Sequence, residues 1–549
     1  MKLLSLKIND PFSSLFKEFE LKFREPFEES NYEDDWSKFH PYCFAGLNGS
    51  GKSNVLEALA NIFYHLEGCV NVNQPDNFKA FFAADESSPN AYELKYYINP
   101  KTGSEYVIKN MVHVFISKKV NEPPIMQITE YPFDESLKSQ VIPVVSDKEK
   151  KIPAVAKIYL PDLIIGYSSG ENEVLSIPFL KTRLLHYDEY VEDVKGNIKY
   201  YEPESNLLYI DYEMSQAVLL SNFIFQDSKV LEPLDTELGI LEIKRFRMNL
   251  NLHTIEKYGI LDQFNEKVQA FRNCSTTFYE DDKNLTLDFW INPDSKKAFR
   301  KNFKDIFDLF QSFQILYTLN YRAVDEEIKS EVYQSKGYYT DGKMPTPSPS
   351  EKVFYFLDYY IEKRINDKGD IKSLLLKNLS DGEQQFLHTI GICLMLKGRS
   401  ALLLLDEPET HFNPDWRSKF ISTLQKSLEN SSSNNLMRDI LVTSHSPFII
   451  SDCYPNKVIV FERDKQPKKA RELSIHTYGT SVNLLTTKIF GKKETIGEYS
   501  LDKINIYRKE FYDGGETEDI MRRLNEELGD SIEKLLFIKE MHSKKITNK

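Results

Sequence analysis

Cysteine is scarce and scattered. The five in 549 residues (Cys43, Cys69, Cys274, Cys393, Cys453) form no C-x-x-C pair, which excludes an encoded disulfide framework or thiolate zinc site and fits a reducing cytoplasm. No stretch approaches the roughly 18 apolar residues of a membrane span, and the opening MKLLSLKIND holds too short an apolar run for a signal peptide. Neither secretion nor membrane insertion is expected. Sustained heptads are missing too, which argues against a long coiled coil. Positive charge is in deficit: 70 Lys and Arg against 83 Asp and Glu give a net charge of −13, so the overall field opposes nonspecific binding to phosphate backbones. The local basic clusters IKRFR (Lys244, Arg245, Arg247), KKAFRK (296–301) and the C-terminal SKKITNK read as solvated faces.

What is present is ordinary for a globular chain, 41% apolar and 28% charged, with length for two to four domains. KLLSLKI and YCFAG read as strands, and Val55, Leu56, Leu59, Ile62 and Phe63 recur at helical spacing after the second. Residues from about 92 to 160 alternate in short runs divided by turn signals, as in an antiparallel meander. NLTLDFWI alternates as a half-buried strand, and Phe299, Phe303, Ile306, Phe310 and Phe313 mark one face of a helix opened by Asp294 or Ser295. Gly337–Ser350 is rich in Gly, Pro and Ser and reads as a surface loop. Beyond it ALLLLD, DILVTS and VIVF are almost continuously apolar, the pattern of parallel strands covered on both faces. The last 75 or so residues read as mostly helical.

Three motifs carry chemistry. GLNGSGKS satisfies G-x-x-x-x-G-K-S between a strand and a helix, the arrangement in which backbone N–H groups cradle phosphates. Its candidate nucleotide-binding residues are Gly46, Asn48, Gly49, Ser50, Gly51, Lys52, Ser53 and Asn54, with Lys52 neutralising the phosphates and the Ser53 hydroxyl reaching Mg²⁺. ALLLLDEPE ends an apolar strand on Asp406, suited to hold Mg²⁺, and Glu407, suited to orient or deprotonate an attacking water. LVTSHSP sets His445 after another apolar strand, in position to sense a γ-phosphate. Two serine-glycine-acid turns compete for a fourth role. Ser380 of LSDGEQQ lies 26 residues before Asp406, enough for one helix and a return to the strand, whereas Ser169 of GYSSGENE lies 237 residues before it. Both contain S-x-x-E, a helix capping box: Ser380 with Glu383, and Ser168 with Glu171.

Together GLNGSGKSN, LSDGEQQ, LLLLDEPETHFNP and TSHSP resemble an ABC-type ATPase of the group containing chromosome-maintenance (SMC) and RecF-like proteins. The resemblance implies an α/β ABC-ATPase head, with a parallel core sheet, an antiparallel β meander and a helical lobe, interrupted by a mixed α+β insertion. It further implies ATP and Mg²⁺ and a homodimer with composite ATP sites, in which the signature residues Ser380, Gly382 and Glu383 of one copy close on the phosphate loop of the other. His411 falls in the loop after the acidic pair, which contacts the opposite subunit in such proteins. Asp381 departs from the commoner glycine, and a carboxylate there weakens anion binding unless it points away or meets a cation.

The expected organisation is an ATPase N-terminal part over 1–175, an insertion over 176–352, an ATPase C-terminal part over 353–465 and a helical extension over 466–549. With a modest insertion and no coiled coil, the chain is similar to the PtuA-type ATPases of Septu and certain retron anti-phage systems. That resemblance implies a cytoplasmic ATPase subunit controlling a separate HNH nuclease of PtuB type. In a retron it adds a reverse transcriptase and that enzyme's RNA/DNA product as partners. The ten histidines form no HNH-like cluster in the sequence, which fits a nuclease on another chain. Two alternatives stand beside it: a RecF- or SMC-like DNA-repair or chromosome-maintenance ATPase, and a slow-turnover nucleotide-sensing scaffold.

Overall fold

Strands with no polar alternation need cover on both faces, and here they receive it. In the computed structural model, Ala401–Asp406 is buried throughout, and Arg438–Ser444 is buried from Asp439 onward. They lie in a seven-stranded sheet ordered Lys468–Lys469, Val458–Phe461, Tyr42–Gly46, Arg438–Ser444, Ala401–Asp406, Ile164–Ser168, Leu207–Tyr209. All neighbours pair in parallel except the edge strand Lys468–Lys469. Because side chains alternate along a strand, the sheet divides two cores. Leu402, Leu404, Phe44 and Leu441 pack with Val55, Leu59 and Phe63 of the helix Lys52–Val70. Leu403, Leu405 and Val442 pack on the other side with Ile390 and Phe420.

The description covers residues 1–549 apart from 25–39, 73, 101–110, 132, 134–135, 151, 170–172, 196–205, 211, 254–260, 336–347, 349, 366–368, 397–398, 431–436, 493 and 548–549. Most of the Gly337–Ser350 stretch therefore lies outside the described residues.

The expected meander forms an antiparallel six-stranded sheet ordered Phe19–Lys22, Lys2–Ile8, Tyr92–Ile98, Val112–Lys118, Ile125–Glu130, Gln140–Ile142. A second antiparallel sheet is ordered Thr277–Glu280, Asn284–Trp290, Ile240–Asn251, Phe354–Arg364, Ile371–Leu375. Leu285, Leu287 and Phe289 turn inward as their alternation requires, and Phe289 stacks on Phe246 at 4.3 Å between ring centroids. Strand Phe354–Arg364 pairs with Ile240–Asn251, so this sheet spans residue 352, where the sequence reading divides insertion from ATPase. Its cations are neutralised in place: Lys244 pairs with Glu362, Arg245 with Asp288 and Arg247 with Asp358. Each of the three basic residues of the IKRFR cluster is thus matched by a carboxylate.

The aromatic stripe from Phe299 to Phe313 belongs to two helices rather than one, Pro293–Asn302 and Ile306–Thr318. Asn292, not Asp294 or Ser295, caps the first, accepting from Asp294 N and Ser295 N at 2.9 Å with Pro293 in the first turn. Phe303 then leaves with extended backbone, and Asp305 opens the second helix by accepting from Phe307 N and Asp308 N. A capping carboxylate between two apolar stripes of matching phase conceals the break from a periodicity reading.

Four helices close the chain: Val482–Phe490, Glu498–Tyr512, Thr517–Glu527 and Ile532–Thr547. The last three share a small core of Ile504, Tyr507, Ile520, Leu524, Phe537 and Met541. Among the described residues no helix is long and apolar enough to cross a membrane.

Candidate nucleotide site

The carboxyl ends of the parallel strands converge on one edge, where an open α/β sheet places its ligands. Strand Tyr42–Gly46 runs into the phosphate loop, which turns through left-handed Gly49 (φ 72°) and Gly51 (φ 96°) before Lys52 opens the helix. A side chain would strain both positions, so the loop can wrap tightly only with glycine there. Lys52 Nζ donates to Gly46 O (3.1 Å) and Leu47 O (3.0 Å), which holds the ammonium inside the loop. Burial pulls it below its ordinary value, opposed by the negative charges of Glu407 and Asp406. The Ser50 hydroxyl is buried with no partner among the described residues. Asn54 turns elsewhere, donating to Glu57 Oε2 (2.9 Å) and accepting from Ser14 Oγ (2.5 Å).

Ser53 Oγ donates to Asp406 Oδ1 at 2.7 Å, joining the loop to the strand two places away in the sheet. Thr443 Oγ1, from the strand between them, donates to the same oxygen at 2.6 Å and accepts from Glu407 N at 2.9 Å. Glu407 sits in the left-handed region (φ 45°), a strained state for a non-glycine residue and one that clusters at functional sites. His445 Nε2 lies 3.2 Å from Glu407 Oε1. That contact, ahead of the opposing effect of burial, holds the Glu407 carboxyl below its ordinary value. Two residues on, Glu409 is buried and accepts from Ser444 Oγ, and burial pushes its carboxyl up to about 7. The hydroxyl and carboxylate of Ser53 and Asp406, the Lys52 ammonium and the orphaned Ser50 hydroxyl form a donor set that fits a triphosphate with Mg²⁺.

The two serine turns fall in different places. Strand Ile164–Ser168 pairs directly with Ala401–Asp406, Ser168 opposite Asp406. Ser169 N donates to Asp406 O (3.2 Å), and its hydroxyl meets Thr410 Oγ1 (2.7 Å). GYSSGENE thus begins beside the acidic pair, although Glu171 lies outside the described residues and the helix that follows starts at Glu173. LSDGEQQ opens the helix Asp381–Met395 with a formed capping box: Ser380 N donates to Glu383 Oε2 (2.8 Å) and Glu383 N to Ser380 Oγ (3.3 Å). Burial would raise the Glu383 carboxyl, but Lys363 and the Ser380 N–H outweigh it and hold it below its ordinary value. His411 N donates to Gln385 Oε1 at 3.0 Å, and a Cβ on Gly382 would stand 2.6 Å from His411 O.

The structure therefore gathers the phosphate loop, Asp406, Glu407 and His445 at one edge. Among the described residues no hydrogen bond or ion pair joins Ser380–Glu383 to residues 46–53. The contacts that Thr443 and Ser169 make at the acidic pair are not assigned from sequence, although both residues stand in stretches it singles out, LVTSHSP and GYSSGENE. Thr443 opens the TSHSP motif itself and could have been found there; strand order is what sets Ser169 beside Asp406.

Residues 250–451, which include LSDGEQQ, DEPE and TSHSP, match the family model described as AAA domain, putative AbiEii toxin, Type IV TA system, and so at the level of domain type the match is to an ATPase. A stretch of 121 residues is 27% identical to Protein ea59 of Escherichia phage lambda, covering 22% of this chain and 22% of that protein's length. Among solved structures, an Smc head domain with an extended coiled coil bound to the C-terminal domain of ScpA, from Pyrococcus furiosus, aligns at 13% identity over 85% of this chain and 95% of that one, with a TM-score of 0.31. An Smc head domain with a coiled coil and joint, from Pyrococcus yayanosii, aligns at 13% identity over 86% and 98%, with a TM-score of 0.30.

Proposed function

We propose that the chain is an ATP-hydrolysing switch of the ATP-binding-cassette type, the regulatory and sensing subunit of an anti-phage defence complex that controls a separate HNH nuclease. The observation that carries the ATPase reading is the continuous chain of contacts from Ser53 through Asp406 and Thr443 to Glu407, ending on His445. Phosphoryl transfer asks a protein mainly to position groups and to stabilise charge, and this chain of contacts fixes both carboxylates relative to the phosphate loop. The defence role rests on the motif resemblance. The toxin wording of the matched family is compatible with it.

In this reading Lys52 and the loop N–H groups hold the β- and γ-phosphates. Mg²⁺ at Ser53 and Asp406 supplies charge neutralisation on the phosphate oxygens when bound. Glu407, ionised and steadied by His445, aligns a water and takes its proton as the water oxygen bonds to the γ-phosphorus. The bond to the β–γ bridging oxygen breaks and leaves ADP and phosphate. Ser380 and Gly382 of a second copy complete each site.

Phosphate release by the purified chain with ATP and Mg²⁺ tests the reading. Glu407→Gln is expected to lower turnover by about 100-fold or more while leaving ATP binding in place. Turnover unchanged in that variant would remove Glu407 from the mechanism, and DNA cleavage by the chain alone would defeat the separate-nuclease reading.

A further inference from the structure

The segment after strand Val458–Phe461 touches the outer turn of the phosphate loop and belongs to none of the site's motifs. Its turn reverses at Asp464, a left-handed non-glycine residue (φ 55°). Gln466 Nε2 donates to Glu18 O (2.6 Å) and Gln466 Oε1 accepts from Glu20 N (2.8 Å), so the segment is pinned to the hairpin between the first two strands. Ahead of Asp464 the exposed Arg463 reaches back, donating from Nη2 to Asn48 O (3.2 Å) and standing 3.3 Å from the place of a Cβ on Gly49. An arginine is thus held on the outer turn of the phosphate loop. Glu462 pairs with Lys465, and Arg463 makes no ion pair among the described residues.

The signature turn shows the opposite imbalance. Glu383 is matched by Lys363. Asp381, exposed at the first position of the helix, has no side-chain partner among the described residues. One carboxylate is left over beside Ser380, and one guanidinium is left over beside Asn48.

We infer that Arg463 of one copy pairs with Asp381 of a second copy when two copies close on nucleotide, so that Asp381 is the specificity element of the interface rather than a defect in the signature. The inference rests on the composite-site reading above, in which the signature of one copy approaches the phosphate loop of the other. A guanidinium at the loop rim removes the repulsion that a carboxylate would otherwise exert on the triphosphate. It also discriminates against partners that carry no acid at this position, as complementary charges set register more than raw affinity.

A charge swap in the full chain tests it. Association is followed by sedimentation with Mg²⁺ and a non-hydrolysable ATP analogue, and analogue binding is measured separately at a dilution where the chain is monomeric. Arg463→Asp alone and Asp381→Arg alone are each expected to weaken association by about tenfold or more, because like charges then face each other. The double variant Arg463→Asp/Asp381→Arg is expected to recover to within about threefold of the original, as a reversed pair restores the complementarity. Unchanged thermal unfolding in all three shows that folding is not the cause. A double variant no better than the worse single variant overturns the pairing, as does a loss of monomer analogue binding in Arg463→Asp, which would place Arg463 on the phosphates. If the unmodified chain shows no nucleotide-dependent association at all, the composite-site reading itself fails, an outcome distinct from a failed swap.

Discussion

Glu407 and Glu409 stand two residues apart and are shifted in opposite directions. His445 favours the ionised form of Glu407, whereas burial beside Ser444 pushes Glu409 up to about 7 from an ordinary 4.5. Glu57, in the phosphate-loop helix, is likewise pushed up to about 7 by burial. A carboxyl whose folded value is raised binds its proton more tightly folded than unfolded, so it favours folding fully below pH 4.5, and this contribution is lost as pH climbs through about 7. Compared with the original chain, Glu409→Gln should therefore lose less Tm, or gain more, as pH rises from about 5 to about 8, because this one contribution is gone. Scanning calorimetry at both pH values checks it, and an equal slope in variant and original would mean Glu409 is ionised in the folded chain. The DEPE spacing made Asp406 and Glu407 legible because a motif states its chemistry locally. Nothing local marks Glu409 as buried or Arg463 as a neighbour of Asn48, since that contact closes over 415 residues and depends on which strands lie side by side.

Among the elements, the start of the signature helix makes one especially close approach. Gly382 lies under the His411 carbonyl and within 3.3 Å of the Trp416 ring, measured from the position a Cβ would take. Gly382→Ala must move the helix start or the loop, and overpacking of this kind costs about 1–3 kcal/mol. The expected outcome is a lower Tm together with loss of nucleotide-dependent association. A variant that keeps both would show that the helix start shifts freely. Capping boxes are written in four adjacent residues, which is why the start of this helix could be read from S-x-x-E alone. The helices at 293–318 could not, because an apolar stripe continues in phase across the cap at Asp305 and periodicity carries no sign of the backbone turning out at Phe303.

At the scale of the molecule, one buried cluster ties the antiparallel sheet to the parallel one. Asp439 accepts from Arg24 Nη1 and Nη2, both at 2.7 Å, and from Leu3 N at 2.6 Å, with Lys2 3.8 Å away. Arg24→Ala leaves this carboxylate short of its main counter-charge, a change expected to cost about 3 kcal/mol in urea unfolding, since breaking a buried pair exposes the desolvation cost of the survivor. A change below about 1 kcal/mol would show that Lys2 and the backbone suffice. The same long-range architecture has a temporal side. Among the described residues, strand Tyr42–Gly46 pairs with Arg438–Ser444 and Val458–Phe461. At ordinary rates of synthesis the ribosome needs roughly 20 to 80 seconds to make the chain between them. For that interval an apolar segment has neither of the strands that flank it in the folded sheet, which leaves it open to pairing with other chains before the nucleotide edge can form.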